Sequence, residues 1–502
     1  MVKLIVDLIE GKGMRKKIVS AIVLSLLAML MFSIQPVARP QKTEIVIGWS
    51  HPLTGPGAVP ATAAVHHLYY KMVIDDYNAK GGLNVSGIML PIRYIEYDDG
   101  YDPAQSLTNL EKLITEDKVD LLFAPWSTAF NVAALPLFET SKYPVVGLTV
   151  GSNTLQDLLQ AGTYKYFFVT LGQPREDAKD LVDLITYINE EVASPDQKIS
   201  RVGFAYRSDE HGIEHSEAIR DGLTAAGIEV PVFDSYSWMT PPTDWTPFIS
   251  KFRDADVDVA IMCSYDEAAT FVRQCITQDY NPKLLVHGPA LETPFLVYDV
   301  FKFTPGEFAG LAYYNGFPAT TFNTTELRAW VAHHLDYTAA KAGFPYLPFP
   351  ASGVFYAGLE CLFKAVEKYG LDREKIRDAL ATETFDTIVG KFKFRPGQSP
   401  QVENHGTLTQ WHGGQMMDVI WPLDRATAKI IYPKFPWSWA NVADVNRDGK
   451  VDIVDLYIVA KAFGSKTGEP RYRFEADVNR DGQVNISDLY AVARDFGKKA
   501  FP

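Results

Sequence analysis

Oxygen-bearing side chains recur at alternate positions in two stretches near the C-terminus. DVNRDGKVDIVD covers residues 444–455 and DVNRDGQVNISD covers residues 477–488. A calcium ion takes about six to eight oxygen ligands, so its loop must deliver carboxylate, amide and carbonyl oxygens around a sharp turn. The candidate ligands are Asp444, Asn446, Asp448, Lys450 through its carbonyl, Asp452 and Asp455 in the first loop, and Asp477, Asn479, Asp481, Gln483, Asn485 and Asp488 in the second. An acidic surface turn would explain one such stretch, but two complete copies predict two calcium ions.

Each loop continues into a helix-length segment, LYIVAKAFG at 456–464 and LYAVARDFG at 489–497. Position twelve of both loops is aspartate, whereas standard helix–loop–helix calcium sites have glutamate there. With these features residues 442–500 resemble a type I dockerin, which implies a small all-α duplicated calcium-loop domain that binds a cohesin-like partner. Dockerins often have Ser/Thr at positions ten and eleven, but here Ile-Val stands at 453–454 and Ile-Ser at 486–487. An intramolecular contact of this segment is therefore the alternative.

The preceding part of the chain alternates short apolar segments with longer amphipathic ones. One series of expected strands is EIVIGW (44–49), PIRYIEY (91–97), VDLLFA (119–124) and YPVVGL (143–148). A second series is RVGFAY (201–206), DVAIMC (258–263) and KLLVHG (283–288). Strands that alternate with helices predict parallel sheets covered on both faces, and the restart of the series predicts two α/β lobes.

Long helices are expected around residues 325–342 and 354–369, before short strands at 391–394 and 407–411. Open α/β sheets bind ligands beyond the carboxyl ends of their strands. The expected ligand site is therefore a cleft between the two lobes.

Five motifs follow one another in a recognisable order. They are HPLTGPGA (51–58), NAKGGLNVSG (78–87), EYDDGYDPAQS (96–106), FAPWSTAF (123–130) and TQWHGG (409–414). With this order and spacing, residues 44–437 resemble the type I periplasmic binding proteins, similar to leucine/isoleucine/valine-binding proteins of ABC importers. The resemblance implies a two-lobed clamshell of two doubly wound sheets with three crossings. It places lobe 1 at about 44–169 and 292–385, and lobe 2 at about 170–291 and 386–437.

The same resemblance implies which residues of lobe 1 contact the ligand. The loop after the third strand, Trp126-Ser127-Thr128, would offer hydroxyl and backbone N–H groups to a carboxylate. A helix is expected to begin there, and its free N–H groups favour an anion. Capping of that helix by Ser127 is the structural alternative. The next loop would add Thr149, Gly151 and Ser152, with Gly151 in place of the family's usual hydroxyl residue.

Lobe 2 departs from the family pattern at one position. Amino-acid-binding members often have an acid directly after Gly-Pro that pairs with the ligand's ammonium group, but this chain has Ala290. A buried ammonium without a partner is costly. Either Glu292 or Asp266 therefore substitutes, or the ligand is not an α-amino acid.

Aromatic side chains complete the expected lining of the cleft. Tyr265 matches a region where family members present an aromatic residue to the ligand, with packing in the core as the alternative. Together with Trp49 and Trp126, it would suit an amide, a short acyl compound or an aromatic acid.

The N-terminus has the layout of an export signal. Arg15, Lys16 and Lys17 precede an apolar run at 18–34, and Ala38 offers a small residue for cleavage. An uncleaved anchor is the alternative, because the run is only slightly shorter than the ~20 residues of a membrane span. In both cases the chain beyond residue 40 is expected outside the cytoplasm.

Composition excludes further classes of protein. A net charge of −13 disfavours binding to nucleic acid, which relies on clustered Lys and Arg. Cys263, Cys275 and Cys361 are either buried apolar side chains or include one 263–275 bridge. Thr149 lies in a GLTVG segment that follows a strand as a nucleophile elbow does, but no His/acid partner is identifiable.

These patterns together predict a non-enzymatic, extracytoplasmic solute-binding protein. It would capture an amino acid, an amide or a short acid between its lobes and deliver it to an ABC permease in the membrane. Its C-terminal module would dock to another protein in the presence of calcium. A surface-docked sensor or tether that is not coupled to a transporter is the alternative.

Overall fold

The structure is a computed structural model of the 502-residue chain. It describes residues 22–23, 25, 42–55, 63–289, 291–292, 296–297, 301, 303, 305–308, 310–316, 325–342, 352–394, 407–412, 417–437, 443–446, 450–466, 469, 471–473, 476–479 and 482–498. The chain divides into two compact units, Met1–Thr43 and Glu44–Pro502. Nearly all of the expected export segment lies outside the described residues. Within the described part of the chain, no helix is long and apolar enough to cross a membrane.

The first α/β segment begins lobe 1. Its elements are β1 (Ile45–His51), α1 (Ala63–Ala79), β2 (Leu83–Val85), β3 (Ile88–Leu90), β4 (Ile92–Asp98), α2 (Pro103–Thr115), β5 (Leu121–Leu122), α3 (Thr128–Ser141), β6 (Val145–Gly147), α4 (Asn153–Gln160) and β7 (Phe167–Val169). Parallel pairing gives the order β4-β1-β5, with β6 and β7 as a second parallel pair. The expected strands are present, and β5 is shorter than the segment predicted for it.

The second segment builds lobe 2. Its elements are α5 (Pro174–Tyr187, extended by the π-helical turn Ile188–Val192), β8 (Arg201–Arg207), α6 (Glu210–Ala225), β9 (Glu229–Tyr236), α7 (Thr246–Asp254), β10 (Val259–Cys263), α8 (Ala268–Thr277), β11 (Leu284–His287), α9 (Pro305–Phe308) and β12 (Leu311–Gly316). Successive β10 side chains point to opposite faces of the sheet, so Ile261 packs in one apolar cluster and Met262 in the other. The sheet is therefore covered on both faces.

The chain then returns to lobe 1 and crosses back again. The elements are α10 (Thr325–Ala342), α11 (Ser352–Tyr369), α12 (Arg373–Thr382), β13 (Phe385–Thr387), β14 (Gly390–Phe392), β15 (Thr407–Gln410) and β16 (Asp418–Trp421). The lobe 2 sheet has the order β16-β15-β12-β11-β10-β8-β9, with β15 and β16 antiparallel at one edge.

Two lobe boundaries expected from the sequence need correction. The residues of β12 were expected in lobe 1, but this strand pairs in parallel with β11 and so belongs to the lobe 2 sheet. Residues 386–394 were expected in lobe 2, but Phe392 and Phe394 pack in the lobe 1 core with α11. Lobe 2 thus extends through β12 and resumes at β15, whereas the residues up to Phe394 belong to lobe 1.

The C-terminal segment contains α13 (Ile453–Ala462) and α14 (Ile486–Asp495), packed around their own buried apolar cluster. Val451 exchanges two backbone hydrogen bonds with residues 497–498, and Val484 does the same with residues 464–465. Each loop is thus tied to the chain that follows the other helix, which is the symmetry expected of a duplicated module. The three cysteines are free and buried, so the apolar interpretation holds and no 263–275 bridge forms.

Candidate functional site

The two lobes contact each other where the strands of both sheets end. Tyr101, Trp126 and Phe130 of lobe 1 form a buried aromatic cluster, and Trp238 of lobe 2 packs against it. Trp126 also lies 6.4 Å from Tyr265 of lobe 2, measured between ring centroids. The expected cleft is thus lined by aromatic side chains from both sides.

Ser127 occupies the N-cap position of α3, but its conformation is not that of an ordinary cap. Its backbone has φ 68° and ψ 162°, a region that only glycine adopts without strain. Among the described groups, its side chain makes no cap hydrogen bond. Its N–H donates to Thr149 Oγ1 at 3.0 Å, which links the two loops predicted to contact the ligand. The capping alternative for Ser127 is therefore wrong.

The remaining residues of these loops hold each other in place. Gly151 N–H donates to Thr128 Oγ1 at 3.3 Å, so Thr128 connects the two loops. Ser152 does cap its helix, because its Oγ accepts a hydrogen bond of 3.0 Å from Leu155 N–H at the start of α4. Ser152 therefore has a structural role, whereas Ser127 does not act as a cap.

Trp49 was expected in the cleft, but it lies in the core of lobe 1. Its side chain is fully buried and stacks on Tyr94 with ring centroids 5.0 Å apart. Its Nε1–H donates to Glu96 Oε1 at 3.0 Å. Ile45, Ile47 and Trp49 alternate along β1, so they share the face that α1 and α11 cover. This alternation removes Trp49 from the ligand site.

Tyr265 lies beside Trp126 of lobe 1, but other side chains already pack on its ring. The Arg207 guanidinium lies 3.9 Å from the ring centroid, and the His211 ring stacks at 4.9 Å with an interplanar angle of 29°. Tyr265 is buried. Part of its ring surface is therefore taken by these two residues of lobe 2.

Arg207, the last residue of β8, connects the lobes. Its Nε–H donates to Asp209 at 2.8 Å, and its Nη1 donates to Glu267 at 3.2 Å. Its Nη2 donates to the hydroxyl oxygen of Tyr101 in lobe 1 at 3.2 Å. The guanidinium is buried, and two carboxylates balance its charge. It therefore acts as a bridge between the lobes rather than as a free cation for an anionic ligand.

The two acids considered as ammonium partners lie in different surroundings. Burial, followed by the neighbouring Glu267, raises the pKa of Asp266 to about 7. Glu292 is buried, and Ala290 lies outside the described residues. The pKa of Tyr313 is raised by burial and then by the charges of Glu292 and Asp177, so both acids lie within electrostatic reach of Tyr313.

The structure reveals site residues that the sequence did not single out. Beside Tyr101 and Arg207, it brings His211, His215 and Asp177 to the cleft, and His215 Nε2 lies 3.3 Å from Asp177 Oδ2. Arg207 is a charged residue directly after the predicted strand 201–206, and this was the one available signal for it. The others lie on helices or loops, where nothing in the local pattern separates them from surface residues.

The calcium loops repeat one hydrogen-bond pattern. Asp455 accepts backbone N–H groups of Asn446 at 2.9 Å and Asp452 at 2.8 Å, one on each carboxylate oxygen. Asp488 accepts those of residue 479 at 3.0 Å and residue 485 at 2.8 Å. In the second loop, Asp477 Oδ2 also accepts a hydrogen bond of 2.8 Å from Gly482 N–H. The two loops therefore fold alike around their last aspartates, Asp455 and Asp488.

The donor set of these loops fits calcium. Four of the predicted calcium-ligand aspartates are buried in a module of fewer than 60 residues, namely Asp444, Asp455, Asp477 and Asp488. A carboxylate oxygen that accepts one N–H keeps capacity for a second partner, such as a cation. Asp448, Gly449 and Asp481 lie outside the described residues. Among the residues that are described, no cluster of three His, Cys, Asp or Glu side chains is arranged for a metal.

Comparison with known proteins gives two family matches and extended similarity. A family model described as periplasmic binding protein matches residues 44–415, and one described as dockerin type I domain matches residues 442–496. The Leu/Ile/Val-binding protein homolog 7 of Brucella abortus (strain 2308) is 23% identical over 422 residues, which cover 82% of this chain and 99% of that protein.

Solved structures with the same fold include proteins with different bound ligands. The branched-chain amino acid transporter substrate binding protein LivJ of Streptococcus pneumoniae, in complex with isoleucine, has a TM-score of 0.60 and 17% identity, covering 78% of this chain and 100% of that one. An ABC transporter solute binding protein of R. palustris, in complex with benzoate, has a TM-score of 0.60 and 16% identity, covering 78% of this chain and 98% of that one.

Proposed function

The chain belongs to the periplasmic binding protein family, and on this premise we propose that it is the solute-binding protein of an ABC importer. It also carries a type I dockerin domain, so both resemblances drawn from the sequence are confirmed. The proteins that it matches bind solutes and are not enzymes, as expected. The solute proposed for this chain is an amino acid, an amide or a short acid, held between the lobes and delivered to a membrane permease outside the cytoplasm.

The position of Ser127 is the observation that carries this proposal. The residue is buried at the lobe interface, where the N-terminus of α3 begins, in a strained conformation and without a cap hydrogen bond. Strained residues persist where the surrounding structure requires them, often at ligand sites. The free N–H groups of the first turn favour the carboxylate or carbonyl end of a solute.

Lobe 2 offers groups of the other polarity. Glu292 and Asp177 are acids within electrostatic reach of Tyr313, and Tyr265 lies 6.4 Å from Trp126 between ring centroids. A solute with an acceptor group at one end and an amine or amide donor at the other would satisfy both sides. The proposed ligand contacts are therefore Trp126, Ser127, Thr128 and Thr149 in lobe 1 and Tyr265 and Glu292 in lobe 2.

The C-terminal domain is proposed to bind two calcium ions and a cohesin-like protein. Asp444, Asp455, Asp477 and Asp488 would hold the ions together with the other predicted loop oxygens. Calcium would supply the positive charge that lets these carboxylates be buried together. Ile453 and Ile486, at equivalent positions, are 66% and 69% exposed, and Tyr457 and Tyr490 are 61% and 67% exposed. This repeated apolar surface suits a protein partner.

A thermal-shift screen tests the solute-binding proposal. L-Leucine, L-isoleucine, asparagine, a short aliphatic amide and benzoate would be added separately to the full chain. We expect at least one compound to raise the unfolding temperature, because a ligand at about 100 times its Kd adds about 2.7 kcal/mol of stability. If no amino acid, amide or short acid shifts the melt or decreases the radius of gyration by small-angle scattering, the proposal is wrong.

Substitution of Ser127 separates the effect of its backbone strain on stability from the effect of its hydroxyl group on solute binding. Ser127→Gly should raise the free energy of unfolding by about 1 kcal/mol, because glycine adopts the observed φ without strain. It should also weaken solute binding about 3- to 10-fold through loss of the hydroxyl group. Urea unfolding and titration calorimetry measure these effects. Ser127→Ala is the matched control, since it keeps the strain and loses only the hydroxyl. Wild-type affinity in both variants would remove Ser127 from the site.

A further inference from the structure

The loop 149–152 of lobe 1 is held in part by lobe 2. Ser152 N–H donates to the side-chain oxygen of Gln173 at 3.2 Å, at the point where the chain crosses between the lobes. His215 of α6 packs against Gly151, where an added Cβ would lie 3.5 Å from the imidazole ring. The loop proposed to contact the solute therefore packs against a side chain of the opposite lobe at Gly151.

Glu214 makes the most specific contact between α6 and this loop. Its carboxylate accepts hydrogen bonds from Asn153 N–H and from Thr154 N–H, the second at 3.2 Å. These groups are the first two N–H groups of α4, directly after the loop. A carboxylate at a helix N-terminus is stabilised by the hydrogen bonds and by the helix dipole. Lobe 2 therefore supplies an acceptor to a helix of lobe 1.

The close approach of α6 to the cleft is fixed by the end of β8. An added Cβ at Gly212 would lie 2.0 Å from the backbone oxygen of Arg207, so glycine is required there. The N-cap of α6 is Asp209, whose side chain accepts from Gly212 N–H at 3.1 Å and also pairs with Arg207. The helix that carries Glu214 is thus anchored to the same arginine that reaches Tyr101 across the cleft.

A second contact between lobe 2 and α4, the pair Arg175–Asp157, differs from the Glu214 contact in its distance along the chain from the first crossing. Arg175 of α5 binds Asp157 of α4 through two hydrogen bonds of 2.8 Å. Arg175 follows the first crossing closely in sequence, so we expect this pair to change little when the lobes rotate. Glu214 comes from a separate helix farther along the chain, so rotation of lobe 2 away from lobe 1 would withdraw its carboxylate from α4.

We propose that Glu214 is a positioning residue that couples closure of the lobes to the shape of the solute-contacting loop 149–152. The proposal rests on the solute-binding function. When the lobes close, Glu214 caps α4 and holds the loop with Thr149 and Gly151 in place. When they open, the first N–H groups of α4 lose this acceptor and the loop loses its support. Glu214 does not touch the solute in this scheme.

Binding kinetics of the full chain test the proposal. The probe is L-isoleucine, or benzoate if that compound stabilises the wild type. Glu214→Ala should increase the dissociation rate about 3- to 10-fold and change the association rate less, because closure retains the solute. Glu214→Gln keeps one acceptor oxygen, so its dissociation rate should lie between those of the wild type and Glu214→Ala. Glu217→Ala is the matched control, since Glu217 is an exposed acid of the same helix. Without solute, Glu217→Ala should melt at the wild-type temperature and Glu214→Ala slightly below it, because α4 loses the carboxylate at its N-terminus.

Small-angle scattering without solute gives a second, independent readout. Glu214→Ala should have a larger radius of gyration than the wild type and Glu217→Ala, because a contact that favours closure has been removed. An unchanged dissociation rate, or an unchanged radius, would overturn the proposal. If the wild type binds none of the tested solutes, the solute-binding function fails while the scattering comparison still decides the role of Glu214 in closure.

Discussion

Removal of calcium is expected to unfold residues 443–498 and to leave the two lobes folded. The module buries Asp444, Asp455, Asp477 and Asp488 around a small apolar core. Without a cation, repulsion between the carboxylates of each loop opposes burial, and loss of both loops removes the start of both helices. Hydrogen exchange of the full chain with calcium and with chelator measures this. Amides of α13 and α14 should lose protection in chelator, and those of β8 and β10 should keep it.

Variants of the two loops test whether each loop binds one calcium ion. Asp455→Ala and Asp488→Ala should each lower calcium uptake by one ion, because each removes the aspartate that ties two backbone N–H groups of its loop. The first loop has Asp452 where the second has Asn485, so the first should bind calcium more tightly. Asn485→Asp is the matched variant, and it should reduce the difference in calcium affinity between the two loops. Equal protection of α13 and α14 in chelator and in calcium would contradict the calcium-dependent module.

Patterns in the sequence predicted the main strands and the division into two lobes. The apolar segments at 201–206 and 258–263 correspond to β8 and β10, and the helices around 325–342 and 354–369 are present as expected. Strands β9 and β12 were not predicted. Periodicity reports the local environment of a segment, but not which sheet it joins. Residues 311–316 were therefore placed in the wrong lobe, since only long-range pairing with β11 assigns them.

The candidate site was predictable where a residue's role follows from its position on the chain. Ser127 precedes a helix and follows a strand end, so its location at the cleft could be expected. Trp49 could not be placed in this way. Its residue type suits a ligand, but its alternate position along β1 directs the side chain into the core. Tyr265 lies beside Trp126 of the other lobe, but Arg207 and His211 pack on its ring, and only tertiary packing brings them there.

A buried lysine near the end of lobe 2 gives the second large expected effect. Lys434 is 3% exposed, and burial lowers its pKa from 10.5 to about 7. Its ammonium group donates to Phe435 O at 2.8 Å and to Asn281, and it lies 3.3 Å from the ring centroid of Trp437. These contacts only partly replace the water that the group loses, so the charged form destabilises the folded state.

The sign of the pH effect follows from the direction of this shift. Below pH 7 the lysine is protonated in both states, and the full cost of burying its charge is present. Between pH 7 and pH 10.5 the unfolded chain binds a proton that the folded chain does not, so the free energy of unfolding rises with pH. The slope is about 1.4 kcal/mol per pH unit. The destabilisation is lost above the unfolded pKa.

Lys434→Met should therefore be more stable than the wild type at pH 6, and the difference should shrink by about 4 kcal/mol between pH 7 and pH 10. Urea unfolding followed by tryptophan fluorescence measures it, since Trp437 lies beside the substituted residue. Lys391→Met is the control, because the Lys391 side chain is 77% exposed and the difference from wild type should stay constant with pH. A constant difference for Lys434→Met as well would mean that the lysine keeps its ordinary pKa in the folded protein.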